Sequence, residues 1–301
     1  MFSDVLEEVT SATGNRFIMT ALFPSLIFWG LLITVVIIGS GNLSVAVNIW
    51  NGQDGVLKAF QIVGFIAWVT FFASILSSQS VAILRFYEGY WKFPMSRKLG
   101  DIGKEKHKRK LKELTVEMNQ NKNRYEDIYL FYPLPTQSEQ VMPTLLGNIL
   151  KNSELYPYDR YNIDAVLIWP RLYHILPESF IQTIAEAKGS LDFMLRISFL
   201  SGFFALLCFV FLFVALLLPG RAIWWFIFVF LCGGLLVAWL AYKSSLGSAV
   251  LYAHQIKSAF DLYRGELLKQ MNFSLPTTLK EEQDLWEEIC LFLYRNIPGK
   301  F

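Results

Sequence analysis

A basic stretch follows the second apolar run of the chain and holds side chains suited to binding phosphate. Residues 92–124 contain eleven Lys or Arg against four acids, although the net charge of the whole chain is only +2. Lys and Arg contact phosphate oxygens, and aromatic side chains stack on bases. We therefore predict a site for an anionic ligand, a nucleotide or a single-stranded oligonucleotide. Its predicted residues are Lys104, Lys106, Lys108, Arg109, Lys110, Lys112, Arg124 and Tyr125.

Two other interpretations of the basic stretch stay open. A run of charged residues is often no more than a solvated helix face. A basic segment close to a membrane span can also bind anionic lipid headgroups. Apolar residues are sparse between 101 and 124, so the sequence alone allows either a solvated helix or partial disorder there.

Polar and small residues recur at steps of three or four in the second apolar run, and such spacing places them on one side of a helix. They are Gln61, Gly64, Ala67, Thr70, Ser74, Ser77 and Ser78. In an oligomer this side could line a water-filled path, with Gln61, Thr70, Ser74 and Ser77 replacing the hydration of an ion. Close packing between membrane helices is the alternative, because small residues let helix backbones approach.

Groups that could catalyse a reaction do not converge in the sequence. The three histidines, His107, His174 and His254, lie in separate segments, and no HExxH, GxSxG, GxxxxGK[ST] or GxGxxG motif occurs. The three cysteines have neither metal-ligand nor CxxC spacing. No carboxylate lies inside an apolar run, which disfavours ion-coupled transport. We predict no enzyme, no cofactor and no metal site.

Four apolar segments must position these residues. A near-continuous apolar run extends from Phe193 to Tyr242 and is interrupted at residues 218–221. Each half is over 20 residues long, enough at 1.5 Å per residue to cross a hydrocarbon core of about 30 Å. Residues 20–40 and 57–84 are similar, and 54% of the chain is apolar. We predict an all-α integral membrane protein with four transmembrane helices in two hairpins and a mostly helical cytosolic domain.

Five segments are predicted to follow one another along the chain: an amphipathic N-terminal helix (1–19), transmembrane hairpin 1 (20–84), a basic and aromatic insert (85–192), transmembrane hairpin 2 (193–242) and a helical tail (243–301). Helical spacing continues from Glu178 into the third span and from the fourth span to residue 271. Lys and Arg are concentrated in the insert and the tail, so the positive-inside rule places both segments, and both termini, in the cytoplasm.

Residues 156–172 are dense in aromatic side chains and alternate charges at Asp159, Arg160, Asp164 and Arg171. We favour buried or half-buried ion pairs that clamp helices together. Contact with a ligand or a partner subunit is the alternative for this segment.

The middle of the chain contains the motifs Leu146-Gly147-Asn148-Ile149-Leu150, Tyr156-Pro157, Arg160-Tyr161, Asp164-Ala165-Val166 and Trp169-Pro170-Arg171-Leu172. They resemble a pattern in uncharacterised multi-pass bacterial membrane proteins, which implies a bacterial inner (plasma) membrane but no established activity. The architecture of four spans with a basic cytosolic vestibule is similar to the membrane-channel effector of Hailong-type anti-phage defence. That resemblance implies an oligomeric pore controlled by a bound single-stranded DNA oligomer.

Two functions remain as hypotheses. The first is a homo-oligomeric inner-membrane ion channel or pore-forming effector, gated by an anionic cytosolic ligand and acting in anti-phage defence. The second is a non-conducting membrane scaffold. In the scaffold, residues 156–172 dock a cytosolic partner protein and the basic stretch binds the headgroups of the lipid bilayer.

Overall fold

The computed structural model describes residues 17–91, 94–120, 125–217 and 223–295. Within these ranges all regular secondary structure is helical, which confirms the all-α prediction. Two predicted features lie outside the described residues: most of the N-terminal helix (residues 1–16) and the turn between the third and fourth apolar helices (residues 218–222).

Four helices are long and apolar enough to cross a membrane, as the sequence predicted. They are α1 (Ile18–Gly39), α3 (Gly55–Ser78), α9 (Glu178–Leu217) and α10 (Trp224–Gln270). The predicted continuity of the last two is confirmed, because α9 begins at Glu178 and α10 runs unbroken to Gln270.

The first turn of α1, Ile18–Leu22, is π-helical. Pro24 lies two residues after this turn and has no backbone N–H. In an α-helix the N–H of residue 24 would donate to the carbonyl of Thr20, so the proline excludes that bond.

The second apolar helix ends earlier than the sequence predicted. A span over residues 57–84 was expected, but α3 ends at Ser78, and Gln79 separates it from α4 (Ser80–Glu88). The backbone of Gln79, at φ −90° and ψ 13°, departs from helical geometry and interrupts the helix there. Apolar periodicity continues across this residue, so the pattern alone did not show the break.

The sequence between α1 and α3 contains two turn signals, Asn51-Gly52 and Asp54-Gly55. The structure has a helix there that these signals did not predict, α2 (Leu43–Gly52). The Asn51-Gly52 pair ends α2. Asp54 caps α3, because its carboxylate accepts a hydrogen bond from the Val56 N–H at 3.0 Å. Asn51-Gly52 thus marks the end of α2, and Asp54-Gly55 marks the start of α3.

The remaining helices are α5 (Pro94–Gln120), α6 (Tyr125–Phe131), a 3₁₀ segment (Pro135–Gln140), α7 (Leu145–Tyr161), α8 (Ala165–Tyr173) and α11 (Leu279–Arg295). The basic stretch is therefore helical to Gln120, which the sequence had left open. Thr144 caps α7 by accepting from the Gly147 N–H, and Asn162, at φ 56°, ends it in the left-handed region.

The chain divides into two compact units. Met1–Leu84 with Asp192–Ser244 forms one, called here the apolar unit, and Arg85–Leu191 with Ser245–Phe301 forms the other, called the polar unit.

Aromatic stacking and one close approach join the helices of the apolar unit. Phe28 of α1 stacks on Phe72 and Phe203, with ring centroids 5.8 and 6.0 Å away. At Gly39 a Cβ atom would lie 2.8 Å from Cγ1 of Ile227. Glycine at this position lets α1 approach α10 closely.

The polar unit has two hydrophobic cores. In the larger one, α8, α10 and α11 meet through Ile168, Phe260 and Trp286, all fully buried. In the smaller one, Leu111 of α5 packs with Ile128 of α6. The second core shows why α5 is ordered: although its outer face is charged, its inner face buries leucines.

Candidate functional site

The predicted pore-lining residues do not share one face of α3, contrary to the expectation from their spacing. At 3.6 residues per turn Gln61 and Thr70 lie about 180° apart around the helix, whereas Thr70, Ser74 and Ser77 lie within about 60° of one another. We call the surface that these residues and two small ones cover the polar strip: Gln61, Gly64, Ala67, Thr70, Ser74 and Ser77. All members are exposed except Ser77, which is half-buried. The remaining face of α3 packs inside the apolar unit through Val69, Ala73 and Leu76. Within the strip, Ala67 lies opposite this packed face, whereas Gln61 and Ser77 lie at its two edges.

Hydroxyl groups of the polar strip donate to their own helix. Thr70 donates from Oγ1 to the Ile66 carbonyl at 2.8 Å, and Ser74 donates from Oγ to the Thr70 carbonyl at 2.9 Å. Such bonds satisfy the hydroxyl donors and leave oxygen lone pairs on the outer surface. The strip thus presents acceptors, the groups that replace water around a cation.

A buried arginine in the apolar unit was missed by the sequence reasoning. Arg196 of α9 is only 6% exposed. Its Nη1 donates to the carbonyl and the hydroxyl of Thr20 at 3.2 and 3.1 Å, and its Nη2 donates to Ser80 Oγ at 2.8 Å. Its Nε has no hydrogen-bond partner among the described residues. The sequence feature that could have identified this site is Arg196 itself, a basic residue near the start of the apolar run that begins at Phe193.

Ser80 connects Arg196 to the polar strip. The Ser80 hydroxyl accepts from Arg196 and donates to the backbone carbonyl of Ser77. The guanidinium is therefore two hydrogen bonds away from a predicted pore-lining residue. Arg196 thus binds a residue of the π-helical turn, Thr20, and the residue that follows the break at Gln79, Ser80.

Most of the predicted ligand-binding side chains on α5 are exposed, and Lys108 is half-buried. They do not share one face. Lys104, Lys108 and Lys112 follow one another at one-turn spacing, whereas Lys106 and Lys110 lie on another side of the helix. Arg109 lies between the two rows. Arg124 lies outside the described residues, and Tyr125 is the first residue of α6.

Acids are interleaved with these bases. Lys108 pairs with Glu139 at 3.1 Å, and Lys110 pairs with Glu113 at 3.3 Å. Each pair reduces the positive charge that a ligand would meet. A single subunit thus presents a weaker positive surface than the count of basic residues suggested.

A cavity of about 730 Å³ lies along α5. Its lining is Asp101, Ile102, Glu105, Lys106, His107, Arg109, Lys110, Glu113 and Tyr132. His107 Nδ1 and the Tyr132 hydroxyl are 2.9 Å apart. Burial lowers the pKa of His107, with a further contribution from Lys106, so the imidazole is neutral at pH 7. Three acids and three bases balance in this lining, so the cavity of a single subunit adds no net positive charge to attract phosphate.

A second buried cation, Lys257 of α10, lies in the polar unit and was also missed. It is 3% exposed, and its Nζ donates to the Tyr129 carbonyl at 2.8 Å. The same Nζ lies 4.0 Å from the centroid of the Tyr129 ring, a cation–π contact. Burial, together with the Arg160 charge and against the opposing charge of Asp261, lowers the pKa of Lys257 to about 8.

Asp261 lies one turn after Lys257 and completes the network. Its carboxylate accepts from the hydroxyls of Tyr156 and Tyr161 at 2.9 and 2.8 Å. Burial and this hydrogen bond raise the pKa of Tyr161 to about 12. Lys257 and Asp261 stand at i and i+4 on a largely apolar helix, and that spacing was the signal that could have identified the network.

The four charged residues of the segment 156–172 take individual partners instead of the predicted ion pairs. Asp159 accepts from the Gln137 amide, the Arg160 guanidinium lies over the Tyr156 ring, Asp164 caps α8, and Arg171 donates to the Leu167 carbonyl. Three of these contacts lie within the segment itself, and the hydrogen bond from Gln137 to Asp159 joins it to the 3₁₀ segment.

No protein-family model matches the chain, and no curated protein or solved structure matches it significantly. Its function is therefore argued from the residues and geometry described above.

Proposed function

We propose that this chain is the subunit of a homo-oligomeric ion channel, a multi-pass protein of a bacterial inner membrane with both termini in the cytoplasm. The polar strip of α3 lines the conducting path. An anionic ligand, a nucleotide or a single-stranded oligonucleotide, binds at α5 and controls opening.

The exposure of the polar strip supports this proposal most directly. Gln61 lies almost two turns inside α3 and is exposed. Within the hydrocarbon of a bilayer, an amide without a hydrogen-bond partner is strongly unfavourable. Water or another copy of the strip can satisfy this amide, and a path between several copies supplies both.

The same exposure also fits close helix packing in a non-conducting scaffold, so current has to be measured. The purified full chain is reconstituted in planar bilayers, and single-channel current is recorded in a salt gradient. We expect discrete steps. The variant Gln61→Glu adds a carboxylate from each subunit to the path and should shift the reversal potential toward cations.

The matched control is Gln182→Glu, which adds the same charge on an exposed residue of α9 in the polar unit. We expect its reversal potential to equal that of the unmodified chain. An identical potential for both variants would show that the strip does not line the path. A silent bilayer with an intact oligomer would overturn the channel and favour the scaffold.

The ligand is tested separately from conduction. A synthetic single-stranded oligonucleotide is titrated against the chain at several salt concentrations, and against a variant with Gln at the six basic positions between 104 and 112. Neutralising phosphate contacts makes binding salt-dependent, so this variant should lose affinity and salt slope while eluting as the same oligomer. An unchanged slope would contradict the assignment. Binding of vesicles with anionic lipid, but not of the oligonucleotide, would assign α5 to headgroups.

A further inference from the structure

Arg196 joins two irregular backbone sites in the apolar unit. Thr20 lies in the π-helical turn of α1, where Pro24 cannot donate to its carbonyl, and Ser80 lies directly after the break at Gln79. One guanidinium binds both residues, through different nitrogens. Interrupted helices among apolar spans persist where their polar groups are bonded by neighbours, and Arg196 is that neighbour here.

The cost of burying Arg196 makes this arrangement sensitive to helix position. A guanidinium keeps its proton in proteins, so it cannot relieve burial by becoming neutral. Its Nε already lacks a partner within the described residues. Moving Ser80 away would also remove the acceptor of Nη2. The arginine therefore favours positions of α1 and of the junction between α3 and α4 that keep both contacts.

The contact reaches the polar strip through a short relay. Ser80 accepts from Arg196 and donates to the Ser77 carbonyl, so the last turn of α3 is held by the same cation. Ser74 lies one turn earlier on the same exposed face. A rotation of α3 that turned the strip inward would have to break this relay.

We infer that Arg196 is a positioning residue that holds the Ser77 end of the polar strip in its outward orientation. This inference rests on the proposed channel function, in which the outward strip is the conducting arrangement. Loss of the contact lowers the fraction of time that the channel conducts.

The variant Ser80→Ala tests the inference in the full chain. It removes the acceptor of Nη2 and the relay to Ser77 but leaves the bonds to Thr20. Because a hydrogen bond to a charged group is lost in one state only, the open probability should fall roughly tenfold. Ser198→Ala is the matched control. Ser198 is buried on α9, the helix of Arg196, but its hydroxyl donates to the Ala238 carbonyl at 2.9 Å. Its open probability should equal that of the unmodified chain.

Arg196→Lys sharpens the test. A lysine keeps the charge but offers one compact ammonium, which cannot span Thr20 and Ser80 as the planar guanidinium does. We expect an open probability between those of Ser80→Ala and the unmodified chain, with the same elution volume. An open probability of Ser80→Ala that equals or exceeds that of the Ser198→Ala control would overturn the inference while leaving the channel in place.

A second measurement does not depend on conduction. In a background with Cys208, Cys232 and Cys290 replaced by Ala, the variant Ser77→Cys reacts with a water-soluble thiol reagent in the intact oligomer. Adding Ser80→Ala should slow this reaction roughly tenfold if the bond positions residue 77. Equal rates would overturn the inference. A silent bilayer with slowed labelling would instead reject the channel and keep the positioning role.

Discussion

Each unit of the molecule buries a cation, but the two cations are stabilised differently. Arg196 in the apolar unit donates to neutral oxygens of Thr20 and Ser80, and the charge of Asp192, one turn earlier on α9, also acts on it. Its Nε has no hydrogen-bond partner in the described part of the chain. Lys257 in the polar unit is bonded to a carbonyl, faces an aromatic ring and lies one turn before Asp261.

The difference follows from the chemistry of the two side chains. Arginine remains protonated, so its charge is a fixed constraint on the helices around it. Lysine can release its proton when buried, and the lowered pKa of Lys257 shows that burial favours its neutral form. The apolar unit thus holds a permanent charge that depends on helix position, whereas the polar unit holds a titratable charge inside a hydrogen-bond network.

The largest loss of stability is expected for the variant Asp261→Ala, which disrupts the hydrogen-bond network around Lys257 in the polar unit. It would leave the Tyr156 and Tyr161 hydroxyls without their acceptor and Lys257 without its nearby carboxylate. Removing one partner of a buried charged group typically costs about 3–5 kcal/mol. We expect a loss of that order in the free energy of unfolding, measured by denaturant titration of the full chain in detergent.

Asp159→Ala is the control for that variant, because Asp159 is half-buried and accepts from the single Gln137 amide. Its loss should be about 1 kcal/mol, the usual contribution of one hydrogen bond. Equal losses for the two aspartates would show that Asp261 does not stabilise a network.

The pH dependence of stability should separate the two cations. The pKa of Lys257 is lowered to about 8 from the ordinary value of 10.5, so the charged form is penalised in the folded chain. That penalty is complete below about pH 8 and diminishes as pH rises toward the ordinary value. Stability should therefore increase with pH, by about 1 kcal/mol between roughly pH 7 and pH 9. Denaturant midpoints across this range measure the increase.

The variants Lys257→Met and Arg196→Met test the origin of that slope. The first removes the titrating group and should flatten the profile. The second removes a group that stays charged throughout and should keep the slope. His254, beside Tyr129, has a lowered pKa and titrates below this window. A slope that survives Lys257→Met would assign the dependence to another group.

The apolar helices were predictable because their signal is local. Uninterrupted hydropathy over more than 20 residues identifies a span whatever surrounds it, and both long helices, α9 and α10, continue through residues with helical spacing. The break at Gln79 and the helix α2 were missed, since neither changes the apolar pattern around it. Turn signals such as Asn51-Gly52 mark ends of elements but not what lies between them.

The candidate site was less predictable because it depends on distant residues. Periodicity on one helix grouped Thr70, Ser74 and Ser77 correctly but misplaced Gln61, which lies on another side of α3. The bond from Arg196 to Thr20 joins residues 176 positions apart. The Asp261 carboxylate reaches tyrosines 100 or more positions away. Counting basic residues in the sequence also overestimated the positive charge of α5, because Glu139 lies far from Lys108 in sequence but pairs with it in the fold.

The smallest effect is expected at the pair of the half-buried Lys108 with Glu139, because the side chain of Glu139 is 87% exposed. Solvent screens such a pair, so Glu139→Gln should change the free energy of unfolding by less than about 0.5 kcal/mol. Removing the partner of a buried cation, as in Asp261→Ala, should lower the free energy of unfolding by more than Glu139→Gln does. A loss comparable to that of Asp261→Ala would show that burial does not govern these contributions.

The same variant has an opposite consequence for ligand binding. Removing the Glu139 carboxylate releases Lys108 and raises the positive potential along its row on α5. Affinity for a single-stranded oligonucleotide should therefore increase, roughly twofold to fivefold at low salt, and this gain should disappear at high salt as screening shortens the range of the charge. Lys110 has a comparable partner in Glu113, so Glu113→Gln compares the second row. A gain for Glu139→Gln alone would place the anion on the row of Lys104, Lys108 and Lys112, and equal gains would place it across both rows.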